Sequence, residues 1–122
     1  MLADSLSIVA VHGLGGDWAE TWTDPNGKLW LRDFLPFQIP SARIMSYGYN
    51  SKTIFTKSVS SITSEAESLL YRLDLERDSR EQKTKPIIFV AHSLGGIVVK
   101  KVRLVTSFDG CVNISSVTQK RL

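Results

Sequence analysis

The chain has 122 residues, 43% of them hydrophobic and 22% charged, which admits one packed domain and excludes a disordered or membrane-embedded polypeptide. Fifteen Lys and Arg against twelve Asp and Glu leave a net charge of +3, and the basic residues are scattered, so no nucleic-acid partner is expected. The single cysteine, Cys111, excludes an internal disulfide and has no histidine near it in sequence to make it a nucleophile.

In chain order, Leu6–Val11 is a β-rich apolar run that ends in His12, Gly13, Leu14, Gly15 and Gly16, a buried strand feeding a glycine turn. Asp24, Pro25, Asn26 and Gly27 form a turn cluster, after which residues 29–35 read as a short helix stopped by Pro36. Ala42–Tyr47 is a second strand closed by Gly48. Over residues 58–77 the apolar positions Val59, Ile62, Ala66, Leu69, Leu70 and Leu73 recur at steps of three and four, which places them on one face of an amphipathic helix. Residues 74–85 read as a charged loop, and Ile87–Ala91 as a buried strand. Residues 94–108 are apolar on most sides and long enough for a helix, with Lys100, Lys101 and Arg103 as its solvated face. The alternation predicts an α/β fold with a parallel sheet of about three strands and flanking helices. The domain is expected over residues 1–110, with residues 111–122 as a tail.

The chemistry-bearing segment is Ala91, His92, Ser93, Leu94, Gly95 and Gly96, where a buried strand meets a helix. A tight strand–turn–helix junction forces its central serine into a strained conformation and exposes the hydroxyl, so Ser93 is the candidate nucleophile. Ala91 stands where a nucleophile elbow usually has glycine, a small replacement that the turn tolerates. The glycines after the first strand suit the second requirement of acyl transfer, backbone N–H groups aimed at a developing oxyanion. The candidate donors are the amides of Leu14 and Leu94, with His12, Gly13, Gly15, Gly16, His92, Gly95 and Gly96 supporting the two turns. A dinucleotide fingerprint fails because its third glycine would fall at Trp18, and no Gly-Lys-Ser/Thr follows to make a phosphate-cradling loop. Trp18, Trp22 and Trp30 read as packing residues rather than an acyl pocket.

The pair VHGLGG and AHSLGG, separated by a strand and a helix, resembles the lipase and esterase branch of the α/β-hydrolase fold. More narrowly, GGDWAETWTDPNGKLWLRDFLP, ARIMSYGYNS and FVAHSLGGIVVKK resemble the serine esterase domain of the serine active site-containing protein family. Similar domains stand at the front of fungal NACHT, NB-ARC and ankyrin-repeat proteins. The resemblance covers residues 6–108 and implies a partial α/β-hydrolase fold that acts on ester or lipid-like substrates. It also implies mitochondrial, endoplasmic-reticulum or membrane association in some members, and triad acid and histidine residues on strands later than the serine.

A serine hydroxyl needs a base within hydrogen-bond reach, and the chain holds two histidines, His12 and His92. His12 belongs to the glycine loop and His92 is adjacent to the serine, so both are assigned to holding turns; Asp109 follows the elbow helix too soon to be the triad acid. The chain alone is therefore expected to be inactive, and a non-catalytic interaction module on the same fold is the alternative. No metal or organic cofactor is expected, for want of a ligand cluster. Asn113, Ile114 and Ser115 match the glycosylation acceptor pattern, but the first apolar run is too short for a signal peptide and no run reaches about 18 apolar residues. The expected location is thus intracellular, cytoplasmic by default, with a peripheral membrane or protein partner left open. A sheet ending at the Ile87–Ala91 strand would present an apolar edge, so self-association is expected.

Overall fold

The computed structural model describes residues 5–52, 59–77, 79–105 and 113–116. Four parallel strands, β1 (Leu6–Val11), β2 (Ala42–Tyr47), β3 (Ile87–Ala91) and β4 (Asn113–Ser116), form one sheet in the order β2-β1-β3-β4. The registers pair Leu6 with Ala42 and Val11 with Tyr47 on one side of β1, and Ser7 with Ile87 and Val11 with Ala91 on the other. The parallel α/β layer expected from the sequence is thus formed, with the three predicted strands at their predicted bounds. The fourth comes from residues 113–116, inside the segment read as a tail; it pairs with β3, Ile88 opposite Asn113 and Ala91 opposite Ser116. The edge strands are β2 and β4, and β3, expected at the margin, lies inside the sheet.

Successive residues of a strand face opposite sides of a sheet, and β1 divides its side chains accordingly. Val9 and Val11 join Phe89 and Ala91 under two long helices, α3 (Val59–Glu76) and α5 (Leu94–Val105), which contribute Ala66, Leu69 and Leu73, and Val98, Val99 and Val102. Ile8 and Ala10 pack with Val90 on the other face under a 3₁₀ turn (Glu20–Trp22) and two short helices, α1 (Trp30–Asp33) and α2 (Leu35–Gln38). The three- and four-residue spacing of α3 was therefore its buried stripe. A strand covered on both faces explains why β3, and β1 from Ile8 on, read as unbroken apolar runs. Pro36, expected to stop the first helix, instead lies in the first turn of α2, where its missing N–H costs no helical bond; the break falls at Phe34. Residues 74–85, expected as loop, carry the end of α3 and a one-turn helix, α4 (Arg80–Lys83), capped by the Ser79 hydroxyl accepting from Gln82 N–H. Between them the Arg77 guanidinium, which is buried, donates to the carbonyls of Gln82 and Lys85 and ties the turn down.

The strand order positions the site. The connection leaving β1 runs toward β2 on one face, and the one leaving β3 runs toward β4 on the other. At such a switch point the two loops diverge and leave a crevice at the carboxyl ends of neighbouring strands. Those loops are Gly13–Gly16 and His92–Ser93. Phe108, Asp109 and Cys111 lie outside the described residues, and Asn113 to Ser115, the acceptor pattern, form β4 backbone. Among the described residues no helix is long and apolar enough to cross a membrane.

The closeness of α5 to β1 depends on Gly95: a Cβ there would stand 2.2 Å from Val11 O and 2.6 Å from His12 O, whereas one at Gly96 would meet nothing within 4 Å. Gly95→Ala should therefore lose about 3 kcal/mol of stability. Gly96→Ala should gain about 0.5–1 kcal/mol from reduced chain entropy. Urea unfolding of the two variants checks the contrast; equal midpoints would contradict it.

Candidate active site

Ser93 stands between the last residue of β3 and the first turn of α5 with a φ of +54°, the sole non-glycine residue at positive φ among the described residues. A side chain in the left-handed region costs roughly 1–2 kcal/mol, so the neighbouring structure must hold it there. It is held by His92 N–H donating to Val11 O at 3.1 Å, and by Gly95 and Gly96 N–H donating to His92 O and Ser93 O, each at 3.0 Å. The result is the strand–turn–helix elbow expected from the sequence, with Ser93 exposed at its apex.

The glycine loop lies directly against this elbow. A Cβ on Gly13 would fall 2.8 Å from both Ser93 Cβ and His92 O, and one on Gly16 would fall 2.5 Å from Thr21 Oγ1. Glycine at position 13 is thus a condition of contact between the two loops, and at position 16 of the packing of the glycine loop on itself and Thr21. Gly15 takes a φ of +70°, as the third residue of a turn closed by Gly16 N–H to Gly13 O at 3.0 Å requires.

Most amides of the two turns are spoken for. Gly15 N–H donates to Ser51 Oγ at 2.8 Å, and Gly16, Gly95 and Gly96 make the turn bonds given above. Gly13, Leu14, Ser93 and Leu94 N–H donate to no acceptor among the described residues. Leu14 and Leu94, the two singled out in the sequence, lie one on each loop of the crevice; Leu14 is exposed and Leu94 half-buried.

Neither histidine is hydrogen-bonded to Ser93 Oγ among the described residues. His12 is 1% exposed; its Nδ1 lies 2.9 Å from Gly13 O and its Nε2 accepts from Tyr49 N–H at 3.4 Å. The Nδ1–H tautomer satisfies both contacts, which makes His12 a brace of the loop. The Tyr49 ring stacks on His12 with centroids 4.2 Å apart, its hydroxyl donates to His12 O at 2.7 Å, and Tyr47 stacks on its other face at 5.3 Å. Burial, the Glu65 carboxylate and Tyr47 raise the Tyr49 phenol above its ordinary value, so it acts as a neutral O–H donor. Burial also leads in pushing the Tyr47 hydroxyl up to about 12, with its donation to Glu65 Oε2 at 2.8 Å among the further causes. His92 is exposed beside Gly13.

Beyond the loop, Asp17 Oδ2 accepts from Ala19 and Glu20 N–H at 2.9 and 3.0 Å, and Thr21 Oγ1 accepts from Asp17 N–H at 3.0 Å. Those bonds, Glu20 first, hold the Asp17 carboxyl below its ordinary value. Trp22 and Trp30 pack edge to face at 5.9 Å on the α1 side of the sheet, as expected of packing residues. Trp18 is half-exposed and borders a cleft of about 630 Å³ with Ile44 and Ser46; a second cleft, about 700 Å³, lies on the opposite face of β2 beside Met45 and Leu69. Both clefts follow the edge strand, and neither is lined by Ser93 or the glycine loop. No three His, Cys, Asp or Glu side chains group as metal ligands among the described residues.

Sequence reasoning missed Tyr49 and Ser51 as site residues. The available signal was their place just past the carboxyl end of β2, on the sheet margin where the loops of β1 and β3 also emerge.

Over 121 aligned residues, 84% of this chain, the sequence is 29% identical to Protein SERAC1 of Danio rerio. The alignment spans 18% of that protein's length. No family model and no solved structure matches the chain.

Because Ser93 is held at positive φ, Ser93→Gly should be about 1 kcal/mol more stable than Ser93→Ala. Chemical denaturation of the two variants measures the difference; equal stabilities would mean that the elbow carries no such strain.

Proposed function

We propose that this chain carries the nucleophile and the oxyanion cradle of a serine ester hydrolase that acts on ester or lipid-like substrates. The observation that supports it most is Ser93 at positive φ with the glycine loop packed against it, at the switch point of a parallel sheet. In this reading Ser93 Oγ attacks the ester carbonyl carbon while its proton passes to a base, and the C=O electron pair becomes an oxyanion. The N–H groups of Leu14 and Leu94 receive that charge; one such donor is typically worth about 10²- to 10³-fold in turnover. Collapse expels the alcohol, protonated by the same base, and water then releases the acid from Ser93.

The base is the missing part. His12 has both ring nitrogens engaged in the loop, so the reading requires a histidine and an acid from beyond these 122 residues. The similarity to a protein more than five times as long, from 18% of its length, leaves room for them. The same lack of a base is what favours the second reading, an interaction module that keeps the hydrolase elbow without its chemistry.

An alkyl fluorophosphonate distinguishes these. Its phosphorus bonds to Ser93 Oγ as fluoride leaves and the base takes the proton. The natural protein at full length should be labelled at Ser93, read by peptide mass, and the 122-residue chain should hydrolyse no aryl ester in a Ser93-dependent way. Absence of label in the full-length protein overturns the hydrolase reading in favour of the module. Aryl ester turnover by the short chain that vanishes in Ser93→Ala overturns the missing base.

A further inference from the structure

We infer that Tyr49 and Ser51, on the segment that follows β2, are positioning residues that aim the Leu14 amide at the oxyanion; the inference rests on the hydrolase reading above. Its physical basis is the planarity of the peptide unit. Gly13 C=O and Leu14 N–H belong to one trans peptide, so whatever holds the carbonyl points the N–H the opposite way. Gly13 O is held from two sides, by Gly16 N–H at 3.0 Å and by His12 Nδ1 at 2.9 Å.

The second of those bonds needs the proton on Nδ1, and Tyr49 supplies the reason for it to be there. Its backbone N–H faces His12 Nε2 at 3.4 Å and requires an acceptor. Its ring covers the imidazole face at 4.2 Å, and its hydroxyl anchors His12 O, the carbonyl of the preceding peptide, at 2.7 Å. Tyr49 thereby controls the tilt, the tautomer and the base of the residue that grips Gly13 O.

Ser51 acts on the next peptide. The Leu14–Gly15 unit is the central peptide of the turn, the one that flips when a turn changes type. Gly15 N–H donating to Ser51 Oγ at 2.8 Å opposes that flip, and Ser51 is 3% exposed, so water does not readily take its place. Consecutive peptide planes from His12 to Gly15 are thus each held by an atom of Tyr49, His12, Gly16 or Ser51. Leu14 N–H, and on the elbow Leu94 N–H, have no acceptor among the described residues and in this reading serve the ligand.

Ser93-dependent aryl ester hydrolysis by the full-length protein provides the test. Ser51→Ala and Tyr49→Phe should each lower kcat by about 10- to 100-fold, part of the loss expected for deleting a donor. KM should stay within about twofold, because the ground-state carbonyl engages the donors weakly. Ser51→Thr, which keeps the hydroxyl, should restore most of the rate, and circular dichroism should show all variants folded. Tyr49→Phe keeps the stack and serves if Ser51→Ala unfolds. Unchanged kcat in folded Ser51→Ala or Tyr49→Phe overturns the inference alone, as does a rise in KM without loss of kcat. A wild-type protein with no Ser93-dependent hydrolysis overturns the hydrolase reading and this inference with it.

Discussion

The arrangement depends on how closely two backbone turns approach at the carboxyl ends of β1 and β3. Gly13 leaves no room for a Cβ against Ser93, and Gly95 leaves none against the carbonyls of Val11 and His12. With those approaches in place, His92 N–H reaches Val11 O and the elbow is sewn to the end of β1. Ser93 can then occupy a conformation that a free chain would leave, since the contacts around it outweigh a penalty of roughly 1–2 kcal/mol. Topology does the rest: connections from β1 and β3 depart to opposite faces, so the turns meet at their bases and diverge above them.

The same contact divides the chemistry between two parts of the chain. In the proposed reading one turn offers a hydroxyl and the Leu94 amide at the start of a helix, the other the Leu14 amide of a braced glycine loop. The two turns are set by backbone geometry, which is why glycines and small residues mark them in sequence, and the proposed cradle for an anion would need no charged side chain. The imidazole of His12 is spent on bracing, so in the proposed reading proton transfer falls to another group than the one that braces the glycine loop.

Much of this was legible in the sequence. The three-strand parallel core, the long helix α3 and the elbow at Ser93 follow from short β-rich segments closed by glycine or turn residues, a three-and-four spacing and glycines at a strand end. Three features were not. β4 is four residues long and lies beyond a stretch without period, so only its pairing with β3 reveals it. Pro36 was misjudged because a proline that ends one helix and one that opens the next look alike when the break precedes it by two residues. Tyr49 and Ser51 act across the sheet margin on residues 37 and 36 positions earlier, a pairing that no local pattern encodes. Gly96, by contrast, was read as part of the elbow and touches nothing that a Cβ would disturb.

The central claim, that Leu14 and Leu94 amides and the Ser93 hydroxyl converge on one reacting centre, is tested most directly by a crystal structure of the full-length protein phosphonylated at Ser93. The account predicts a phosphonyl oxygen accepting from both Leu14 N–H and Leu94 N–H at about 2.7–3.1 Å, with the glycine turn and its Tyr49 and Ser51 contacts unchanged. A phosphonyl oxygen turned to solvent, with either amide left unbonded, would contradict it.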